Sequence, residues 1–296
     1  MTEGVVLGLA AALCWGITDL IAAIAARRVG TVRAAALSLT TSLVVLIGLL
    51  VVTQSDLRVG PWDVVRITAV GALAAVSTLA LWAGLRRGPM TVVSPMAATV
   101  GAMTVVLAWA ILGEQPRPVQ WLAVPAALVG CILASTTTTL GGGRFSLVGR
   151  GPLFAAVAVV GFSFVAIGLR EPIREVGWLQ TIVLARTANS AVVLMALAGS
   201  IHWPSLPGAG KVQGRRWAGW RLPGLVLVAG VLDAFGFCAF AFGFEVAPVW
   251  LVGLLSSFAP AIGVLGGLLL FGERPARRQW YGAAAIVIAV VCVAVG

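Results

Sequence analysis

Long apolar runs separated by short charged clusters organise the whole chain. They cover approximately 4–26, 34–53, 67–85, 90–112, 119–137, 151–169, 177–200, 222–244, 246–271 and 279–296. The stretches 88–113 and 246–272 carry no charged residue at all. Crossing the hydrocarbon core of a bilayer takes about 20 apolar residues of helix. Backbone in lipid must satisfy its hydrogen bonds internally, so each run predicts a transmembrane helix. Trp121, Trp178, Trp203, Trp217, Trp220 and Trp280 fall at or just beyond run ends, where interfacial anchors belong. The longest connections are the Thr- and Gly-rich 138–150 and the loop 201–221.

The runs repeat. Gly230 lies 159 residues after Gly71, and at that offset 67–137 falls on 226–296 without a gap. Leu73 meets Leu232, Ala75 meets Ala234, Gly84 meets Gly243 and Pro89 meets Pro248. Gly113-Glu114-Gln115-Pro116 meets Gly272-Glu273-Arg274-Pro275, and Gln120-Trp121 meets Gln279-Trp280. At an offset of 147 the starts of the halves match more weakly: Trp15 with Phe162, Arg27 with Arg174, Val29-Gly30 with Val176-Gly177. The expected architecture is therefore all-α and integral to the membrane, with ten transmembrane helices as two five-helix repeats. The first repeat is 1–140, the linker 141–150 and the second repeat 151–296. Because five is odd, the second half enters the bilayer from the opposite side, and the repeats are inverted. Inverted repeats suit alternating access around a midplane site.

Composition supports lipid as the solvent. The chain is 60% hydrophobic and 10% charged, against roughly 25% charged in soluble domains. The net charge of +10 comes from Arg scattered between apolar runs, which argues for membrane flanks and against nucleic acid. Cys14, Cys131, Cys238 and Cys292 all lie inside runs and read as small buried hydrophobes. The lone His202, with no Cys or carboxylate cluster beside it, predicts no metal site, and no cofactor is expected. Met1-Thr2-Glu3 lacks the basic start of a cleavable signal, so the first run is read as a retained span. The Ala/Gly/Val-rich, Arg-over-Lys composition points to a bacterial cytoplasmic membrane.

Several motifs carry a resemblance: Trp15-Gly16 in the first run, Pro95 in the fourth, Gly113-Glu114 and Gly272-Glu273, and Gln120-Trp121 with Gln279-Trp280. Together with the repeat, the chain resembles the EamA-type members of the drug/metabolite transporter (DMT) superfamily over nearly its whole length. The resemblance implies a ten-helix basket with a central cavity lined mainly by spans 1, 3, 4, 6, 8 and 9. Its members move amino acids, nucleotide sugars, sugar phosphates, toxic compounds and other metabolites, so it leaves the substrate open.

Three charges fall inside spans: Asp19, Arg186 and Asp233. Each costs about 2.5–3.5 kcal/mol at mid-bilayer on insertion scales, which makes each a functional candidate. Asp19 aligns with Ala166, Asp233 with Ala74 and Arg186 with Leu39, so the shared architecture of the repeats demands none of them. Arg186 and Asp233 fall at similar depth, where they predict an ion pair. Asp19 and Asp233 are also readable as sites for a substrate cation or for proton coupling. Helical spacing places Trp15 with Asp19, Thr78 with Trp82, Pro95 with Thr99 and Met103, and Phe237 with Asp233. It also groups Gly253 with Ser257 and Pro260. The expected cavity residues are thus Trp15, Asp19, Thr78, Trp82, Thr99, Met103, Asp233, Phe237 and Ser257. Each competes with a plain packing role. Pro95 and Pro260 are read as gating kinks, with a fixed bend as the alternative. Glu114 and Glu273 are read as caps on the helix that follows each.

The expected function is secondary transport, with export favoured, of a small metabolite or drug-like molecule across the cell membrane. The chain is expected to act as a monomer or a homodimer. No Walker element is present, so ATP is not expected to drive the cycle. An intramembrane enzyme would need a nucleophile beside a base, which the spans do not offer. A scaffold or receptor remains as the alternative. Orientation is contested: Arg and Lys crowd the loops after odd-numbered spans, which puts both termini outside, whereas the resemblance implies both in the cytoplasm. A reporter fused after Gly296 decides between them.

Overall fold

With no water to satisfy the backbone, the apolar runs form helices. The computed structural model describes residues 2–54, 59–113, 118–138, 145–147, 149–202, 221–247 and 249–295. In the first half lie α1 (Thr2–Val29), α2 (Thr31–Val52), α3 (Pro61–Arg87), α4 (Met90–Ala97), α5 (Val100–Leu112) and α6 (Pro118–Ser135). In the second lie α7 (Gly151–Val176), α8 (Trp178–His202), α9 (Arg221–Val246), α10 (Val249–Ser256), α11 (Ala259–Leu270) and α12 (Arg277–Val295). Among the described residues, seven helical stretches are long and apolar enough to cross a membrane, with Met90–Ile111 counting as one. Their outward faces carry large hydrophobic side chains such as Val44, Phe235 and Val52, the last 80% exposed, as suits contact with lipid. Glu114, Pro248, Trp203, Trp217 and Trp220 lie outside the described residues.

Two expectations need correction. The fold is expected to be all-α with a helical run to 137, yet α6 ends at Ser135 and a small antiparallel hairpin pairs β1 (Thr136–Thr138) with β2 (Phe145–Leu147). The Thr-rich sequence of β1 favours extended backbone over helix. The apolar runs 90–112 and 246–271 were each expected to be one helix, yet each is two. After Pro95, the N–H of Ala98 reaches back to Pro95 O (3.1 Å) and that of Thr99 to Met96 O (3.0 Å). In the second run, the N–H of Phe258 bonds to Leu255 O (3.2 Å) and that of Ala261 to Phe258 O (2.9 Å). These bonds span three residues, so each break is a tightened 3₁₀-like turn beside a proline that has no N–H to give.

The backbone repeats as the sequence does. The two breaks fall at Thr99 and Phe258, which coincide at the 159-residue offset. Left-handed glycines end α5 at Gly113 (φ 66°) and precede α12 at Gly272 (φ 62°), another coincident pair. Gly30 (φ 93°) and Gly177 (φ 104°) pair at the 147 offset. Only glycine adopts such values without strain, which explains why these positions match in the sequence.

Packing exchanges partners between the halves. A Cβ added at Gly71 on α3 would lie 2.3 Å from the carbonyl oxygen of Ala185 on α8. One at Gly230 on α9 would lie 2.4 Å from that of Ser38 on α2. These are the same contact in the two halves, because 38 and 185 differ by 147. Small residues allow such close helix crossings where lipid supplies no hydrophobic drive between helices. Likewise α1 packs on α9, α10 and α11, while α7 packs on α3, α4 and α5. Helix α1 runs alongside α3 in the same direction, with Asp19 beside Trp82 and Arg27 beside Leu85. Helix α7 runs against α3, with Gly151 beside Gly88 and Gly168 beside Val70. The first helices of the two halves therefore point in opposite directions.

Candidate functional site

Four helices carry the polar centre. On α1, Trp15 and Asp19 are one turn apart, and on α3 so are Thr78 and Trp82. The indole Nε1–H of Trp82 donates to Asp19 Oδ1 at 3.1 Å, joining the two helices at depth. On α8 and α9, Arg186 Nη2 lies 2.7 Å from Asp233 Oδ2. Both are buried, as the similar depth of the two residues predicts. The pair is an ion contact, not an aligned hydrogen bond: Asp233 Oδ2 and Arg186 Nε have no hydrogen-bond partner. The Arg186 guanidinium also lies 4.7 Å from the ring centroid of Phe237. In low dielectric such a pair relieves the cost of each charge.

Aromatic rings frame these groups. Trp15 meets Phe240 at 5.1 Å and Phe237 at 6.3 Å, and Phe240 meets Phe244 at 4.4 Å. Phe237, Phe240 and Phe244 share the face of α9 that carries Asp233. Gly236 lets Trp15 approach: a Cβ there would fall 2.9 Å from the indole nitrogen.

These residues line a cavity of about 1170 Å³. Trp15, Asp19, Thr78, Trp82, Arg186, Asp233, Phe237, Ser257 and Pro260 all border it. Thr99, Met103 and Pro95 do not. Pro95 and Thr99 are buried, and the Thr99 hydroxyl donates to Met96 O at 2.7 Å. The tightened turn at Ala98–Thr99 rotates the following helix, so α5 presents Val100, Gly101, Thr104, Val105 and Ala108 to the cavity instead. Four-residue spacing counted from Pro95 assumed an unbroken helix and therefore named the wrong face. Sequence reasoning also left out Thr18, Asn189, Phe162, Arg170 and Arg174, all of which line the cavity. The repeat held a signal for one of them, since Phe162 matches Trp15.

The two ends of the cavity differ. At one end it reaches Arg170, Arg174 and Gly177 at the close of α7, and Glu245, Val246 and Ala247 at the close of α9. Arg174 and Glu245 are exposed there. Beside this mouth Arg66 pairs with Asp63, Glu171 and Glu175, tying the start of α3 to the end of α7. At the other end, helix ends converge on Glu273. Its Oε1 accepts the N–H of Met90, and its Oε2 accepts the N–H and hydroxyl of Thr91, each at 2.8 Å. Arg27 Nη2 stands 3.6 Å from Oε1. The same guanidinium donates to Leu85 O (3.1 Å) and Gly88 O (3.3 Å) and lies 3.9 Å over the ring of Phe271. None of these latch residues borders the cavity.

Glu273 therefore does not cap the helix that follows it. It caps α4, in the other half of the chain, where a carboxylate satisfies free N–H groups and meets the positive end of the helix dipole. The start of α12 is served by Gln279, whose Oε1 accepts the N–H of Ala276 at 2.9 Å. Its partner by repeat, Glu114, lies outside the described residues. Among the described residues, no group of three or more His, Cys, Asp or Glu is placed to hold a metal.

Comparison with known proteins gives one family. The family described as "EamA-like transporter family" matches residues 2–136 and again residues 149–295. No curated protein matches the chain. Among solved structures, 24 chains match. One, titled only "Crystal structure of protein", covers 100% of this chain and 97% of its own, at 20% identity and a TM-score of 0.68. At that identity the likeness speaks for the fold alone.

Proposed function

The chain belongs to the EamA-like transporter family, and from that premise we propose that it is a secondary transporter working by alternating access. It moves a small metabolite or drug-like molecule, outward, across a bacterial cytoplasmic membrane. On this reading ten spans form two inverted five-helix halves, 1–140 and 151–296, joined by 141–150. The opposed directions of α1 and α7 support the inversion.

One observation carries the proposal: the cavity reaches one face at the ends of α7 and α9, while the other face is latched by Arg27 and Glu273. Such a shape is one of the two states an alternating-access cycle needs. In the other state the latch on α4 is released and the mouth beside Arg174 closes. The substrate sits among Trp15, Asp19, Thr78, Trp82, Asp233, Phe237 and Ser257. Arg186 holds Asp233 in place, and the turn at Pro260 acts as a pivot. If a gradient drives the cycle, Asp19 or Asp233 carries the proton. The chain acts as a monomer or a homodimer.

The test is reconstitution. Compounds that raise the melting temperature of the purified protein are loaded into proteoliposomes, and flux is followed against protein-free vesicles. Saturable flux of at least one stabilising compound is expected. Binding without flux for every such compound would favour a receptor or scaffold and overturn the proposal.

A further inference from the structure

Taking the central cavity as the substrate path, we propose that its deep end selects organic cations that carry flat aromatic rings. The inference rests on the transport reading for its use, but on the cavity's own chemistry for its content.

The first ground is charge. Two carboxylates, Asp19 and Asp233, border the same cavity. One guanidinium, Arg186, stands with them, and it is 2.7 Å from Asp233. Among the described residues Asp19 has no cationic partner, only the indole N–H of Trp82. One carboxyl group is thus left without a counter-ion in a region of low dielectric, where an arriving cation gains most by pairing with its ionised form.

The second ground is hydrogen-bonding capacity. The hydroxyls at the cavity give their hydrogens to backbone carbonyls: Thr18 to Ala229, Thr78 to Ala74, Thr104 to Val100, and Ser256 and Ser257 to Gly253. What each still offers is an oxygen lone pair. The Asn189 Oδ1 is likewise buried without a partner. The wall is therefore rich in acceptors. Among the cavity's fully buried atoms without a hydrogen-bond partner the one donor is Arg186 Nε, and it belongs to a group whose charge Asp233 already balances. Acceptors around an unpaired carboxylate match a ligand that brings donors or positive charge.

The third ground is shape. Trp15, Trp82, Phe162, Phe237 and Phe240 surround the carboxylates. Ring faces attract cations and pack against flat apolar bodies. The guanidinium of Arg186 already uses the face of Phe237 in this way. Arg170 and Arg174 do not reverse the selection, because they stand at the other end of the cavity. Asp19 is eight residues before Arg27, only about 12 Å from the latched face at the rise of an α-helix. The exposed Arg174 is screened by water and salt over roughly 8 Å.

The experiment uses two probes of one shape and opposite permanent charge, tetraphenylphosphonium and tetraphenylborate. Their effect on the melting temperature of the purified chain is titrated in a fixed detergent. Wild type and Asp19→Glu should be stabilised by the cation in preference to the anion. Asp19→Asn keeps an acceptor for Trp82 and should fold, yet bind the cation roughly tenfold more weakly or worse. Equal cation binding by wild type and Asp19→Asn would overturn the proposal, as would preference for the anion or no binding of the cation to wild type. A variant melting far below wild type without ligand is replaced by Asp19→Ser, read the same way. Flux in proteoliposomes separates the two readings: cation binding without flux leaves the site standing and removes transport. Flux of other solutes without cation selectivity does the reverse.

Discussion

Thr91 gives both its backbone N–H and its hydroxyl to one oxygen of Glu273, each at 2.8 Å, across 182 residues of chain. This contact joins the end of α11 to the start of α4 and, with Arg27, shuts one face of the protein. A charged acceptor on backbone N–H groups forms among the stronger hydrogen bonds a protein makes. The alternating-access cycle proposed for this chain needs contacts that are strong yet few.

Glu273→Gln tests the latch. The amide keeps one acceptor oxygen but loses the charge, which weakens the cap and the pairing with Arg27. The closed face should open more often. With the four native cysteines replaced by serine, Ser94→Cys reports this, because Ser94 is buried one turn past Thr91. A membrane-impermeant maleimide added at the latched face should label it several-fold faster in the Glu273→Gln background. Equal rates would show that the latch does not hold the face shut.

Gly71→Ala and Gly230→Ala test the exchanged packing. Each added methyl meets a carbonyl oxygen of the facing helix, at 2.3 and 2.4 Å before relaxation. Overpacking of this kind costs about 1–3 kcal/mol, so both variants should melt several degrees below wild type. Gly48→Ala is the control, with nothing within 4 Å of its added carbon. It should be neutral or slightly stabilising, given alanine's better helix propensity.

The Arg186–Asp233 pair predicts a non-additive double mutant. Arg186→Met alone strands the Asp233 carboxylate and should cost about 3–5 kcal/mol. Asp233→Leu alone strands the guanidinium, with a similar cost. The double variant removes both charges and should recover most of the loss. Melting temperatures of all four proteins close the cycle, and simple additivity would mean that the pair does not act as a unit.

Trp82→Phe removes the N–H that reaches Asp19 while keeping an aromatic ring. The expected loss is about 1–3 kcal/mol, the range for leaving a buried acceptor unpaired. In an Asp19→Leu background the same change should cost much less. Equal costs in both backgrounds would assign the effect to the smaller ring instead of the bond.

The apolar runs were legible because the solvent dictates them: lipid forces backbone into helix wherever about 20 residues lack charge. The repeat was legible for a different reason. Gly30 and Gly177, and Gly113 and Gly272, hold backbone angles that side chains resist, so both halves keep glycine there. The similar depth of Arg186 and Asp233 was also readable, since position within a run is depth in the bilayer. Tertiary structure decided what faces what. Glu273 reads as a cap for α12, but only the docked halves bring it to α4. Thr99 and Met103 read as cavity residues, but one tightened turn carries them off the wall and brings Val100, Gly101 and Thr104 onto it. Spacing along a chain fixes the relative direction of side chains only while the helix is unbroken. Which helix meets which is decided by close packing between the halves, at contacts such as Gly71 on Ala185.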